Sequence, residues 1–117
     1  MSLQYCIQKA SELPYQRHRS RHYCVIVDKR GKIVSEGAND YRKTSPRFAA
    51  AARKVGLPEK QCLHSEAVAL FRDKRKRGVK LIVARVDANN KPCYSAPCKV
   101  CSTLIAESQI KSVEYTT

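Results

Sequence analysis

The chain has 117 residues and carries 23 lysine and arginine side chains against 10 aspartates and glutamates, which gives a formal net charge of +13. A chain of this length forms one hydrophobic core, so we expect residues 1–117 to fold as a single domain. Its apolar runs are far shorter than the about 20 residues of a membrane-spanning helix, and its N-terminus lacks the continuous apolar stretch of a secretory signal peptide. These features exclude a membrane protein and lead us to expect a cytoplasmic one.

Apolar spacing and turn residues predict helices and strands that alternate along the chain. Apolar residues recur at helical spacing from Leu3 to Leu13, and Pro14 ends that helix. The later elements, in chain order, are two strands joined by a turn (Tyr23–Val27 and Lys32–Glu36), a short helix (Arg47–Lys54), a helix capped by Gly78 (Leu63–Arg77), a buried strand (Val79–Val86), a turn (Asp87–Pro92), a helix with Pro97 in its first turn (to Ser108) and a last strand (Ile110–Tyr115). Strands that alternate with helices require crossover connections, so this order predicts an α/β sandwich with helices on both faces of the sheet.

Two of the six cysteines form the motif Cys98-Lys99-Val100-Cys101 at the predicted start of a helix. In a reducing compartment this spacing indicates metal binding or redox chemistry rather than a disulfide. His64 opens another predicted helix, and a helix N-terminus stabilises thiolates. One nitrogen and two sulfurs make three zinc ligands, the number that catalytic zinc sites use while water takes the fourth position. The other cysteines are predicted to be small buried hydrophobic residues: Cys6, Cys24, Cys62 and Cys93.

Glu66 stands two residues after His64. On a helix this spacing turns the two side chains roughly 200° apart, so Glu66 need not compete as a ligand. Near the helix end its carboxylate can flank a metal-bound water, take a proton from it and pass that proton to a leaving amine. Taken alone, Glu66 would be an ordinary acidic residue favoured by the helix dipole. Its position beside His64 is what predicts a catalytic role.

His64-Ser65-Glu66 followed by Pro97-Cys98-Lys99-Val100-Cys101 resembles the two-part signature of the cytidine deaminase superfamily, which includes deaminases of cytidine and deoxycytidylate and the transfer-RNA adenosine and AID/APOBEC-like branches. The resemblance spans about Tyr23 to Tyr115. It implies that His64, Cys98 and Cys101 bind Zn²⁺ and that Glu66 is the general acid and base. It also implies a mechanism in which zinc-bound hydroxide attacks the ring carbon that bears the amine, and ammonia leaves with a proton from Glu66.

The same resemblance implies a three-layer α/β/α cytidine deaminase-like sandwich with a mixed sheet. Because the chain ends directly after the fourth predicted strand, where the family usually continues, we expect a sheet truncated after that strand and a homo-oligomer that covers its exposed edge. Family members often carry a substrate-contacting Asn at the position of Asn39, and their pocket is often lined by the loop that here contains Tyr94 and Ser95. The alternative is that Asn39 is a turn residue and that the loop only connects two elements.

The positive charge favours a polyanionic or phosphate-bearing partner, since +13 exceeds what solubility requires. The basic residues cluster in Arg17-His18-Arg19-Ser20-Arg21-His22 and in Arg72-Asp73-Lys74-Arg75-Lys76-Arg77, although the second run is also typical of a solvated helix end. We therefore expect a zinc-dependent hydrolase that converts cytosine to uracil in a phosphate-bearing substrate. That substrate is either a single-stranded nucleic acid or a deoxycytidylate-type nucleotide, which places the protein in nucleic-acid editing or nucleotide metabolism.

Other functions remain open at this point. Deamination of adenosine in transfer RNA uses the same signature. A non-catalytic, zinc-stabilised nucleic-acid-binding module would need a fourth protein ligand, for which Cys93, Cys62 or His18 is available, and it would leave Glu66 without a role. A redox role for the two cysteines of the motif would leave His64 unexplained.

Overall fold

The structure is a computed structural model that describes residues 2–17, 19–41, 45–57 and 63–117. Within these ranges it contains four helices and five strands, in the order α1 (Ser2–Ser11), β1 (Arg21–Val27), β2 (Ile33–Ala38), α2 (Pro46–Lys54), α3 (Ser65–Arg72), β3 (Lys80–Val86), β4 (Pro92–Cys93), α4 (Lys99–Ala106) and β5 (Ser112–Tyr115). None of the described helices has the length and apolar character needed to cross a bilayer.

The strands form one mixed sheet in which β1 lies between β2 and β3. β1 is antiparallel to both neighbours, so that Val25 is paired with Glu36 on one side and with Ile82 on the other. The outer edge of β3 is shared by β4, which is antiparallel to it, and β5, which is parallel to it. A parallel pair requires a crossover connection, and here α4 lies in the segment that joins the two strands.

Helices cover both faces of this sheet. Alternate residues of β1 point to opposite faces, and on one face Val25 and Val27 pack with Cys6 of α1. On the other face Cys24 and Ile26 pack against α3 and α4. α2 then packs on the outer side of α3 and α4 through a cluster that includes Phe48, Ala52, Ala67 and Val100. The predicted three-layer α/β/α sandwich with a mixed sheet is therefore confirmed.

The number of strands needs a correction, because the structure has five described strands where the sequence predicted four. The additional strand is β4, two residues long, and the predicted last strand is the fifth, β5. β4 follows a turn in which the Asp87 carboxylate accepts hydrogen bonds from the N–H groups of Asn89 and Lys91. Pro92 has no N–H to give to a strand ladder, which is why the sequence predicted only a turn there.

Both helices that carry the candidate ligands are shorter than predicted. α3 ends at Arg72 instead of Arg77, and the Asp73 carboxylate then accepts hydrogen bonds from the N–H groups of Arg77 and Gly78. Gly78 is not a helix cap. A glycine is needed there because a Cβ would overlap the side chain of Ile26. α4 begins at Lys99 and ends at Ala106, so Pro97 precedes the helix instead of lying in its first turn.

A close approach between β2 and α3 places the start of α3 beside the end of β2. Gly37 lies against Val68, and a Cβ at position 37 would overlap that side chain. At the end of β2, the backbone of Asp40 exchanges two hydrogen bonds with that of Leu63, one residue before the predicted ligand His64. The contact between β2 and α3 and the backbone pair of Asp40 and Leu63 thus fix the segment that enters α3.

Candidate metal centre

The three residues predicted to bind zinc lie together at the starts of α3 and α4. His64 and Cys98 are the N-cap residues of these two helices, both with extended backbone, and Cys101 lies in the first turn of α4. The His64 Nδ1 atom is 3.4 Å from Cys98 Sγ and 3.5 Å from Cys101 Sγ. The three donor atoms all lie within 4.8 Å of one another.

This spacing fits a tetrahedral zinc ion. With zinc–sulfur bonds of about 2.3 Å and zinc–nitrogen bonds of about 2.05 Å, tetrahedral angles put a nitrogen and a sulfur ligand ~3.6 Å apart. The two observed distances agree with that value to about 0.2 Å. Among the described residues no fourth His, Cys, Asp or Glu joins the group. One coordination position would therefore be left for water or substrate.

The local electrostatics favour a thiolate at Cys98. The Cys101 thiol, which donates a hydrogen bond to Cys98, is the largest cause that lowers the pKa of Cys98 to about 3, and His64 and the Cys101 backbone N–H add to it. The same shared proton, together with burial, raises the pKa of Cys101. The pair thus loses its first proton readily. A cation that replaces the second proton would hold both sulfurs as thiolates.

The His64 ring is held in place by packing. Its centroid lies 5.0 Å from that of Phe48, a fully buried residue of α2, and the two rings are tilted by 56°. Because α2 is fixed against α4 by the cluster around Phe48 and Val100, the ring and the two sulfurs belong to one packed unit. The donor geometry does not depend on an exposed loop.

Glu66 lies in the first turn of α3 and is 4% exposed. Its Oε1 atom accepts a hydrogen bond of 2.8 Å from the Ser65 hydroxyl, which is fully buried. Burial raises the pKa of Glu66, and the Ser65 hydrogen bond opposes that change. The carboxyl group is thus held by its neighbour in an environment that does not favour a permanent charge.

The candidate ligands and Glu66 border a pocket of about 230 Å³. Pockets for drug-sized ligands usually measure about 300–1,000 Å³, so this one suits a small ring rather than a whole nucleotide. The described residues that line it come from β1 and the residue before it, from the segments that follow β2 and precede α4, and from the helix starts: Ser20, His22, Asn39, Tyr41, His64, Glu66, Ala96 and Cys98.

Asn39 connects this pocket to the start of α3. Its Oδ1 atom accepts a hydrogen bond of 2.6 Å from the backbone N–H of Ser65, the first residue of the helix. Its Nδ2 atom donates to the Tyr41 hydroxyl at 3.1 Å and lies 3.5 Å from His22 Nδ1. Asn39 is therefore a pocket residue, and it also binds a helix N–H that has no partner inside the helix.

The whole described chain matches one protein family. The model of the cytidine and deoxycytidylate deaminase zinc-binding region matches residues 2–117. The chain belongs to this family. It is thus a zinc-type deaminase domain with a His/Cys/Cys group that can bind a metal. No curated protein sequence gives a significant match to the chain.

Solved deaminase structures share the fold. Cytidine deaminase from Burkholderia pseudomallei superposes with a TM-score of 0.60 at 18% identity, over 99% of this chain and 82% of that one. Cytidine deaminase from Mycobacterium tuberculosis gives 0.51 at 17% identity, over 93% and 77%. A mutant form of the same enzyme gives 0.51 at 15% identity, over 93% and 78%. At these identities the likeness is one of fold alone.

Tyr94 and Ser95, which the sequence suggested as substrate-binding residues of this deaminase domain, are not among the described residues that line the pocket. Tyr94 is 62% exposed, and its ring packs edge-on against Tyr115 at a centroid distance of 5.8 Å. Ser95 is buried, and its hydroxyl bonds the backbone oxygen of Val83 at 3.0 Å and the Thr116 hydroxyl at 2.7 Å. From this loop it is Ala96 that reaches the pocket.

His22, Tyr41 and Ser20 line the pocket and were missed from the sequence. Burial above all, together with the positive charge of Arg85, lowers the pKa of His22 to about 4, so this ring is neutral at pH 7. Tyr41 donates its hydroxyl proton to the Ser20 carbonyl oxygen. The available sequence signals were that His22 directly precedes a predicted strand and that Tyr41 lies two residues after Asn39.

The basic run around Arg21 contains two kinds of residue. Arg21 is buried, and its guanidinium donates to the carbonyl oxygens of Ser11, Leu13 and Asp87, so it fastens α1 to the sheet and is not available to a phosphate. Arg19 is exposed, and its guanidinium lies over the Tyr41 ring at 4.9 Å. Of these two arginines, Arg19 is therefore the one that places a cation beside the pocket.

The other cysteines take no part in the donor group as far as the structure describes them. Cys6 and Cys24 are fully buried, as predicted, whereas Cys93 is only partly buried and bonds the Arg85 carbonyl oxygen. Cys62 and His18, the other two residues considered for a fourth ligand, lie outside the described residues.

Proposed function

We propose that this deaminase domain catalyses zinc-dependent hydrolytic conversion of cytosine to uracil in a phosphate-bearing substrate, either a single-stranded nucleic acid or a deoxycytidylate-type nucleotide. The observation that supports it is the convergence of three metal-donor atoms beside a buried carboxylate in a pocket of base size. His64, Cys98 and Cys101 are the proposed zinc ligands. Zinc in a three-ligand site supplies Lewis-acid activation of water at neutral pH.

Glu66 is the proposed proton carrier. Hydrolytic deamination adds the oxygen of water to the ring carbon and releases the amine as ammonia, so a proton must move from the water to the leaving nitrogen. Ser65 occupies Oε1 of the carboxylate, which leaves Oε2 for the transferred proton. One carboxylate can serve both as base and as acid because the proton it takes is the one it later gives back.

The polar wall opposite the metal donors is proposed to bind the base. Asn39 and Tyr41 form a hydrogen-bonded pair, and the Oδ1 of Asn39 keeps a second lone pair beyond its bond to Ser65. His22 completes this wall as a neutral ring with one donor and one acceptor nitrogen. These groups suit the amide-like edge of a pyrimidine.

Two observations favour a substrate that carries phosphate. The net charge of +13 attracts anions at long range. At short range the Arg19 guanidinium lies over Tyr41, whose ring borders the pocket, so a phosphate attached to a bound nucleoside would find a cation nearby. The pocket itself is too small to hold the sugar and phosphate, which would lie outside it.

Bound-metal analysis combined with an ammonia-release assay tests the proposal. The substrates are cytidine, deoxycytidylate, single-stranded DNA that contains cytosine, and transfer RNA. We expect about one zinc per chain, and release from deoxycytidylate or single-stranded DNA but much less from cytidine. If transfer RNA alone responds, inosine in its nucleoside digest would replace the cytosine reading by an adenosine one, whereas additional uridine would keep the cytosine reading. Protein without zinc, or zinc-loaded protein that releases ammonia from none of the four, would contradict the proposed function.

A further inference from the structure

A cationic groove lies at the end of α3 opposite the metal centre. It runs between the turn that joins β1 to β2 and the loop that follows α3, and its volume is about 540 Å³. α3 has eight residues and therefore separates the two ends by about 12 Å. Six exposed basic side chains line the groove and define it: Arg30, Lys32, Arg72, Lys74, Arg75 and Arg77.

Two carboxylates, Asp28 and Asp73, also line the groove, and their hydrogen bonds go to backbone and amide N–H groups instead of the basic side chains. Oδ1 of Asp28 accepts hydrogen bonds of 2.9 Å from the backbone N–H groups of Arg30 and Lys32. The Asp73 carboxylate is buried and accepts from two backbone N–H groups and from the side chain of Gln109. Both acids therefore hold the turn and the loop in shape.

The basic side chains keep their charge for an external partner. Within the described residues, none of the six lies within 4.0 Å of a carboxylate oxygen. Arg72 is oriented by a hydrogen bond of 3.0 Å from its guanidinium to the Glu36 carbonyl oxygen, and at longer range its charge lowers the pKa of the Glu36 carboxyl group. Six cations from two separate chain segments thus outnumber the two carboxylates, Asp28 and Asp73, that line the same recess, and this excess focuses positive potential there.

The lining favours a nucleic acid over an acidic protein. Stable protein interfaces have a desolvated centre of aromatic or large apolar residues. The exposed large hydrophobic residues of the described chain are Tyr15, Tyr94 and Tyr115, and none of them lines the groove. The only apolar residues in the lining are the partly buried Ile33 and Val34, and the exposed side chains are basic. Contacts made by basic side chains are typical of binding to the phosphodiester backbone, which carries no base information.

The shape favours a single strand over a duplex. Proteins that read a duplex place a projecting helix or strand ribbon into its major groove. Here the cations line a recess between a turn and a loop, which a flexible single strand can enter. We propose that the cationic groove binds the phosphodiester backbone of a single-stranded nucleic acid, without sequence preference, at a site separate from the metal centre.

The groove can be tested with a triple variant that removes Lys74, Arg75 and Arg77 by substitution with Ala. These side chains are exposed and make no hydrogen bond or ion pair in the part of the chain that the structure describes, so the fold should persist. The matched control removes Arg53, Lys91 and Lys111, which are equally exposed and lie outside the groove. Each variant loses three positive charges, so the two have the same net charge.

The probe is a labelled oligothymidine of about 20 nucleotides, which has no exocyclic amine for the metal centre to remove. Binding is followed by fluorescence anisotropy at several salt concentrations. Each contact to a single-stranded phosphate adds about 0.7 to the slope of log affinity against log salt, so three lost contacts should make the slope shallower by ~2. If the two proteins bind equally at 1 M salt, a slope difference of ~2 over one decade of salt concentration makes the triple variant bind about 100-fold more weakly at 0.1 M. The control should stay near the wild-type protein.

Equal losses in the triple variant and the control would show that only net charge matters and would overturn the groove assignment. Tighter binding of an oligothymidine–oligoadenosine duplex, or of polyglutamate, would also overturn it. The test uses binding and not turnover, so a chain without deaminase activity can still confirm or refute it. If the proposed function holds, deoxycytidylate turnover should be the same in the triple variant and the wild-type protein.

Discussion

Replacement of Glu66 by Gln separates a catalytic carboxylate from a structural one. The side chain is 4% exposed, and glutamine has nearly the same shape, so the cavity and the packing of α3 should be preserved. The Ser65 hydroxyl can still donate to the amide oxygen that replaces Oε1. Since burial disfavours the charged form of Glu66, loss of the charge should not lower the free energy of unfolding.

The rate should fall steeply because an amide cannot carry the proton. Positioned acid–base groups contribute about 10²–10⁴ in rate, or roughly 3–5 kcal/mol of activation free energy. We therefore expect ammonia release under saturating substrate to drop by at least about 100-fold while zinc content stays near one per chain.

Glu36→Gln is the matched control for this variant. Glu36 accepts hydrogen bonds from the Tyr5 and Tyr23 hydroxyls and does not line the described pocket, so turnover should be retained. Turnover of Glu66→Gln within about threefold of the wild-type rate, with zinc present, would refute the proton-carrier role.

Three further changes test the metal centre, the pocket wall and the packing beneath them. Cys101→Ser should lose bound zinc in metal analysis, whereas Cys93→Ser should retain it, because only Cys101 belongs to the donor group. Burial lowers the pKa of His22 to about 4, so the neutral ring stabilises the fold at neutral pH and that stability is lost as pH falls from about 6.5 to 4. His22→Gln should therefore lose less unfolding free energy over this interval, by up to about 3 kcal/mol in urea titrations, and equal losses would contradict the assignment. Gly37→Ala should cost about 1–3 kcal/mol by overlap with Val68, and the added Val68→Ala change should relieve part of that cost in a double-mutant cycle.

Local patterns predicted most of the fold, and long-range pairing decided the rest. The hairpin and the buried third strand were visible because their apolar runs are bounded by turn residues. The end of α3 could not be predicted from the sequence, since the charged residues after Arg72 are good helix formers. In the structure Lys76 adopts a φ of 53° and Val79 donates its N–H to the Val27 carbonyl oxygen, so the chain leaves the helix early to join the sheet. The spacing of apolar residues along a helix does not predict where the chain must leave that helix to pair with a strand.

The same distinction holds for the site, since some of its residues can be predicted from local sequence and others depend on long-range strand pairing. The donor residues were visible because each depends on a helix start and a short spacing, and helix starts are encoded locally. The pocket wall was not visible, because His22 lies in β1 and Asn39 follows β2, and the pairing of these two strands brings the two residues together. Ser95 was predicted to contact substrate, but in the folded chain its hydroxyl makes hydrogen bonds with Val83 and Thr116 instead of lining the pocket.

Asn39 shows why a substrate contact and a structural contact cannot be told apart by sequence position. Its amide binds the first N–H of α3 on one side and the Tyr41 hydroxyl on the other, so it sets the position of the helix start that carries His64 and Glu66. An asparagine would be required there for this reason even without a substrate, because Oδ1 and Nδ2 serve different partners. The same two contacts aim the amide at the pocket and leave one Oδ1 lone pair free. Its structural role is therefore what makes it suited to contact a base.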